Sequence, residues 1–262
     1  MQLTWYGTAA LILEEDGTSI AFDPFCGLKL NETIHSGHLS AGELGLTKIE
    51  NVFITHGHFD HIARIPAIYK NAPVKLWCTQ TPYNTMLREG MRPEQMQVIR
   101  PGETINVGPF TVTAYQSRHC KFDLPVIVKT VFRSALFGHP VYLFRLLKMF
   151  LFYPENKEIL LYEVLCAGKR IQIMGSLNLS ADVEYPTGAD MLILPFQGRS
   201  DLEKCGLSIV RRLKPGKVFL DHYDDSFPPI SDRISTENFE KILREQEKIP
   251  CRALEKGEIV YG

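Results

Sequence analysis

Asn51-Val52-Phe53-Ile54-Thr55-His56-Gly57-His58-Phe59-Asp60-His61 is the stretch on which the reading of this chain turns. Its first four residues are a short apolar run of the kind that forms a buried strand. Ile62 to Lys70 follows, with Pro66 near its start, and predicts a helix. The cluster between them therefore sits where a strand's C-terminal end turns into a helix. Open α/β architectures put ligands at that edge. Three imidazoles and a carboxylate fall within His56–His61. On extended backbone alternate side chains point the same way, so His56 and His58 can reach one metal ion. Asp60 and His61 turn the corner and can face a second metal or orient its water. Zinc in catalytic sites takes three such ligands and keeps one position open for water. Coordination lowers that water's pKa to about 7, and a neighbouring carboxylate can take or give the proton. A purely structural histidine cluster is the competing reading. It is costly, because buried imidazoles need partners.

Outward from this stretch the chain alternates strand and turn. Gln2 to Tyr6, Ala9 to Glu14 and Thr18 to Phe22 read as strands, the last two joined by Glu15-Asp16-Gly17, a hairpin signal. Asp23-Pro24 closes them. Residues 25–48 read as a long loop carrying His35 and His38, both taken as solvated. Val74–Cys78 is a strand, and Thr81-Pro82 opens a helix to about Glu89. Ile105–Val107 and Phe110–Tyr115 flank Gly108-Pro109, and the second of them runs into His119. Ile159–Leu165 and Lys169–Met174 form another hairpin, followed by Gly175-Ser176. Asp190–Pro195 is a buried strand, residues 200–213 a helix, and Lys217–Leu220 a strand running into Asp221-His222. A last helix spans about 235–248, and Glu258–Tyr261 is a final strand. His119 and His222 thus both follow apolar strands, as His56 does. No Pro-, Gly- or Ser-rich linker interrupts residues 1–262, which read as one domain of two sheets with helices outside, built from two diverged halves.

The 262 residues carry 45% hydrophobic and 23% charged side chains, ordinary for a globular chain. A net charge of −1 gives no overall footprint for nucleic acid or anionic lipid. Six scattered cysteines without a CxxC pair suggest reduced thiols in a cytoplasmic protein. The start has no basic region followed by an apolar core, so no signal peptide is expected. Residues 131–157 are an apolar insert. Within Val141–Tyr153 only Arg145 and Lys148 are charged. That is too short and too charged for a membrane span, and a helix apolar nearly all round should be buried in something. Core or homo-oligomer contact through 131–153, a lid over a hydrophobic substrate, and membrane-surface contact all remain open.

The HxHxDH run His56–His61, with the later single histidines His119 and His222, resembles the metallo-β-lactamase superfamily. The openings Leu3–Gly7 and Ile20–Pro24, and the later Leu192–Pro195 and Val218–Tyr223, resemble the branch of L-ascorbate-6-phosphate lactonase-like hydrolases. The resemblance covers most of the chain except 25–48 and 131–157. It implies an α/β fold, a four-layer αββα sandwich with the metal site on one edge. It further implies that His56, His58 and His119 bind one metal, that Asp60, His61 and His222 bind a second, and that Asp23 supports them. Three departures stand out. Ser176 occupies the place where the family has a metal-bridging Asp, which weakens the second site. Thr8 stands where the branch has a histidine. Gln197-Gly198-Arg199 replaces a Gly-Gly-His-like run, and Arg199 becomes a candidate for gripping an anionic substrate group.

The reading that follows is a metal-dependent hydrolase acting on a small-molecule ester, lactone or phosphodiester, with Asp60 orienting the water. Zinc is the default among one or two divalent metals; manganese and iron suit the same ligands. The alternative is a catalytically degenerate member that binds metal or ligand without turnover.

Overall fold

The computed structural model describes residues 1–28, 38–121, 123–124, 139–228 and 231–262. His35 and residues 131–138 of the apolar insert lie outside the described residues. In chain order the elements are β1 (Gln2–Gly7), β2 (Ala10–Glu15), β3 (Thr18–Phe22), α1 (Ala41–Leu46), β4 (Asn51–Phe53), α2 (Phe59–Ile62), α3 (Ile65–Tyr69), β5 (Lys75–Cys78), α4 (Gln80–Arg88) and β6 (Met96–Val98). They continue with β7 (Thr104–Val107), β8 (Phe110–Ser117), α5 (Pro140–Phe152), β9 (Ile159–Cys166), β10 (Lys169–Met174), β11 (Met191–Pro195), α6 (Leu202–Leu213), β12 (Val218–Asp221), α7 (Glu237–Ile242), β13 (Cys251–Ala253) and β14 (Ile259–Tyr261).

Two seven-stranded sheets form, in the orders β14-β1-β2-β3-β4-β5-β6 and β13-β12-β11-β10-β9-β8-β7. Hairpins join β1-β2-β3, β7-β8 and β9-β10; parallel pairing runs through β3-β4-β5-β6 and β10-β11-β12-β13, whose connections carry helices except the helix-free segment between β10 and β11. The final strand β14 returns across the molecule to pair with β1. Successive residues of β2 show why the layers stack. Leu11 and Leu13 enter the core between the sheets, while Ala10 and Ile12 enter a second core under helices. That second core collects Leu46 of α1, Phe59 and Ile62 of α2, Ile65 and Ile68 of α3, Met86 of α4, and Tyr142 and Met149 of α5. Helices α6 and α7 contribute Ile209, Val210, Leu213 and Phe239 on the other side. The layering is the expected αββα sandwich.

Three local departures have plain causes. The single helix expected over 62–70 is two short ones, α2 and α3, because Pro66 lacks an N–H and its ring opposes the Ile62 carbonyl four residues back. The loop 25–48 contains α1, opened by a capping box in which Ser40 Oγ accepts from Glu43 N–H and Glu43 accepts from Ser40 N–H. Glu43 also receives Arg64 Nε at 2.5 Å in a buried ion pair, fastening α1 to the segment between α2 and α3. Among the described side chains of α5, Tyr142 and Met149 are buried and the others exposed, so the core covers one face and leaves open what meets the other.

Candidate metal centre

Strands β4, β8 and β12 end at one edge of the sandwich and deliver the histidines that follow them. The ligand atoms of His56, His58 and His119 lie within 4.8 Å of one another, and so do those of Asp60, His61 and His222. The expected partition of six residues into two triads is the partition the fold produces in space. The imidazoles crowd: ring centroids of His56 and His61 are 4.0 Å apart, and those of His58 and His119 are 4.4 Å apart.

The outer hydrogen bonds decide which ring nitrogens face inward. Asp23 is buried at the end of β3 with φ +41°, a left-handed conformation that Asp tolerates better than most residues. Its Oδ1 accepts Thr55 N–H at 2.8 Å and its Oδ2 accepts the Thr55 hydroxyl at 2.5 Å. With that proton directed at Asp23, Thr55 Oγ1 serves as acceptor for His56 Nδ1–H at 3.0 Å. Asp23 Oδ2 also accepts His61 Nδ1–H at 2.8 Å, and the Cys120 carbonyl accepts His119 Nδ1–H at 2.6 Å. These three rings therefore hold lone pairs on Nε2. His56 Nε2 stands 3.1 Å from His58 Nδ1.

The electrostatics separate the two triads. Burial, reinforced by the neighbouring imidazoles, pushes the His56 pKa well below the ordinary value. Burial holds His58 down to about 4, and burial also lowers His119. The first triad is therefore neutral at physiological pH. In the second, His222 and Asp60 favour each other's charged forms. Burial alone lowers a histidine, but the bond to Asp60 outweighs it and raises His222. Burial likewise works against the Asp60 carboxylate, and the bond from His222 with the nearby imidazoles overcomes it, so Asp60 stays ionised. Their facing atoms, His222 Nε2 and Asp60 Oδ2, are 3.4 Å apart.

Both sets fit a divalent cation. The neutral rings of buried His56 and half-buried His58 bring two nitrogens to 3.1 Å, close enough for both to face one cation. Three imidazoles in one set, and two with a carboxylate in the other, are donor sets that zinc, manganese or iron accept.

Supporting residues lie around the triads. His222 itself has φ +57°, and its N–H donates to the Thr8 carbonyl at 3.0 Å. Thr8, at φ +46°, is held in turn by Asp224, whose two carboxylate oxygens accept its N–H. Thr8 thus positions His222 from the β1–β2 turn. Ser176 is buried and its hydroxyl accepts Cys120 N–H at 3.0 Å, next to His119. Gly57 leaves no room for a side chain: a Cβ there would lie 2.3 Å from the Pro154 carbonyl oxygen. Past the helix end at Phe152, the chain therefore presses on the histidine loop. Phe150 of α5 stacks edge-on against Phe59 at 4.8 Å and reaches His58 at 6.4 Å, forming a wall of the site.

Arg199 lines a cleft of about 370 Å³ that also touches Cys120, Lys121, Lys204 and Arg212. Its Nε donates to Asp201 at 2.5 Å and its Nη1 to the Lys121 carbonyl at 3.0 Å. His38 is exposed and belongs to neither triad. Thr55 and Gln197 went unremarked as site residues in the sequence. Gln197 Nε2 lies 3.1 Å from His222 Nε2. The one available signal for Thr55 was a hydroxyl placed directly before HxH at a strand's buried end.

Among known proteins, a curated relative is a UPF0173 metal-dependent hydrolase of Ignicoccus hospitalis, 24% identical over 99% of this chain and 97% of its own. A UPF0173 protein of Pyrococcus abyssi is 26% identical over 48% of this chain, and the match spans only about half, 53%, of that relative's length. Among solved structures, Igni18, described as a novel metallo hydrolase from Ignicoccus hospitalis, superposes with a TM-score of 0.63 at 20% identity over 99% of this chain and 97% of that one. At that identity the likeness speaks for the fold. The family model of the metallo-beta-lactamase superfamily matches residues 3–144, and the chain belongs to that superfamily.

Proposed function

We propose that this protein is a metal-dependent hydrolase of small molecules. Its centre holds one or two divalent ions on His56, His58 and His119 and on Asp60, His61 and His222, with zinc the first choice and manganese or iron also suited. The observation that carries the reading is the pair of three-donor sets, each with ligand atoms within 4.8 Å, tied to one Asp23–Thr55 relay. A bound cation supplies Lewis acidity and acidifies water at neutral pH. The chain's own residues do the rest. Asp60, ionised beside His222, orients the attacking water and takes its proton. Asp23 and Thr55 fix the tautomers of His56 and His61. The apolar wall of Phe150 and Phe59 limits water entry on one side.

Within this reading we assign the chemistry to ester, lactone or phosphodiester hydrolysis, in the manner of the lactonase-like branch. The cleft beside Cys120 supports an anionic substrate end, since Lys121, Arg199, Lys204 and Arg212 outnumber Asp201 there. Six free cysteines support a cytoplasmic setting. A second reading has one observation in its favour. Ser176 offers a neutral hydroxyl, already engaged with Cys120, where a bridging carboxylate would neutralise two cations. On that reading the fold binds metal without turnover.

The test is elemental analysis of protein purified without chelator, together with an esterase, lactonase and phosphodiesterase panel. Hydrolysis that is lost on chelation and restored by one metal supports the enzyme. Bound metal with no activity across the panel supports the degenerate form, and absence of metal refutes both.

A further inference from the structure

Helix α5 reads PVYLFRLLKMFLF, with no carboxylate and only Arg145 and Lys148 charged. Its inner face is set by Tyr142 and Met149, seven residues apart and both buried in the helical core. The Tyr142 hydroxyl donates to the Leu28 carbonyl at 3.1 Å. The opposite stripe, where a surface helix ordinarily shows charge, consists of Phe144, Leu147 and Leu151. They are 68%, 54% and 82% exposed. Val141 and Phe152 are exposed as well, and so is Phe150 next to the metal centre. The three exposed phenylalanines alone present about 300 Å² of ring surface. With the aliphatic residues added, the patch reaches the upper range for a monomer, where such patches mark interaction sites.

Charge decides the occupant. From Leu124 to Tyr153 the sequence contains four Lys or Arg and no Asp or Glu. With −1 for the whole chain and +4 for this stretch, the remainder carries −5. The near-neutral total therefore hides a segregated charge. Pairing two copies through this face would bring two sets of Arg145 and Lys148 into one interface, with no acid on the helix to answer them. An anionic lipid surface answers both features. It takes the apolar stripe into its headgroup boundary and the flanking Arg145 and Lys148 against its phosphates. No helix among the described residues is long and apolar enough to cross a membrane, which leaves contact with the surface.

We propose that the outward face of α5 is an interfacial helix that seats the chain on anionic lipid, with the candidate metal centre beside the bilayer. Phe150 joins the two, exposed on the helix and 4.8 Å from Phe59 at the site wall. The substrate class that follows is an amphiphile with its scissile ester or phosphodiester near the headgroups. That consequence rests on the hydrolase reading; the docking does not.

Vesicle flotation of the full-length, metal-loaded protein tests the docking without any turnover. Phosphatidylcholine vesicles are compared with vesicles that also contain phosphatidylserine. The protein is expected to float with the phosphatidylserine vesicles at low salt and to lose most binding at high salt. R145Q/K148Q should bind about thirtyfold more weakly, from about fivefold per surface cation. F144E/L151E should abolish flotation, with circular dichroism unchanged because both residues are exposed. Chelator-treated protein should float like the loaded form, so a failed hydrolase assay leaves this result standing. Three results overturn the proposal: no flotation with either vesicle, equal flotation with both, or a dimer by size exclusion that F144E/L151E dissociates while the parent ignores vesicles.

Discussion

Replacing Asp23 by Asn removes one charge from the centre while keeping its shape. Asn tolerates the left-handed backbone at φ +41° as Asp does, so the substitution probes the hydrogen bonds rather than the turn. Asp23 accepts three bonds, from Thr55 N–H, the Thr55 hydroxyl and His61 Nδ1–H. An amide oxygen can keep the first. Its NH₂ then meets the other two donors head on. Each lost bond to a charged group is worth about 1.5–3 kcal/mol. His61 must either swing away or move its proton to Nε2, where it blocks the lone pair a metal needs. The Thr55 hydroxyl, turned off Asp23, no longer dictates the His56 tautomer. Loss of such supporting bonds lowers metal affinity by about 10–100-fold, or about 1.4–2.8 kcal/mol. The assay is competition with a chromophoric chelator, with the fold checked by circular dichroism. T55V should weaken mainly the His56 set, since Val leaves the His61–Asp23 bond intact. A folded D23N protein whose metal affinity stays within about twofold of the parent would refute the reasoning.

Three further outcomes follow from the same geometry. In metal-free protein, His56, His58 and His119 have folded pKa values below the unfolded value near 6.5, so the unfolded chain takes up protons first as pH falls. Stability should drop from pH 6.5 towards about 4, the value to which His58 is held, by up to about 1.4 kcal/mol per unit per histidine; urea midpoints unchanged between neutral and acid pH refute this. His222 has the opposite sign: its stabilising charge is present below its raised pKa and lost above it. Filling the second triad should therefore release up to about one proton near neutral pH and the first almost none, as read by calorimetry in two buffers of different ionisation enthalpy. Gly57→Ala should cost about 1–3 kcal/mol and weaken metal binding, because its Cβ cannot share space with the Pro154 carbonyl. An unchanged melting temperature for that variant would show that the loop is free to move.

Much of the site was written locally. His56 and His58 share a side because a strand end alternates, and His119 and His222 could be recognised because each follows an apolar run that had to be a strand. Which histidine joins which triad depends on how three strand ends meet, and that came from family resemblance before the geometry produced it. Thr55 was invisible as a relay because its role needs Asp23, 32 residues away. The three-residue strands β4 and β14 were legible because they lie in apolar runs, whereas β6 and β13 were missed because Gln97 and Arg252 sit at their centres. The Ser40–Glu43 capping box was legible, but Gly42 and Gly45 disguised the helix behind it. The exposure of α5 was the reverse case. Its composition demanded a partner for every face, and composition cannot say that the protein supplies only one.

The two triads are unequal in a way that bears on Ser176. The first is three neutral imidazoles, with the tautomers of His56 and His119 fixed from outside, so a cation enters without displacing a proton from an imidazolium. The second sets His222, whose proton is held more tightly than usual, 3.4 Å from the Asp60 carboxylate. That internal pair partly does the work of a cation, and a metal must displace it. A bridging carboxylate would compensate by favouring two cations over one proton, and Ser176 supplies none. Its hydroxyl instead accepts the Cys120 N–H and steadies the loop that bears His119, a member of the first triad. Ser176 therefore lends its support to the first triad and none to the second. Occupancy of the second set should then rise with pH, as His222 gives up its proton, while the first set remains filled across the neutral range.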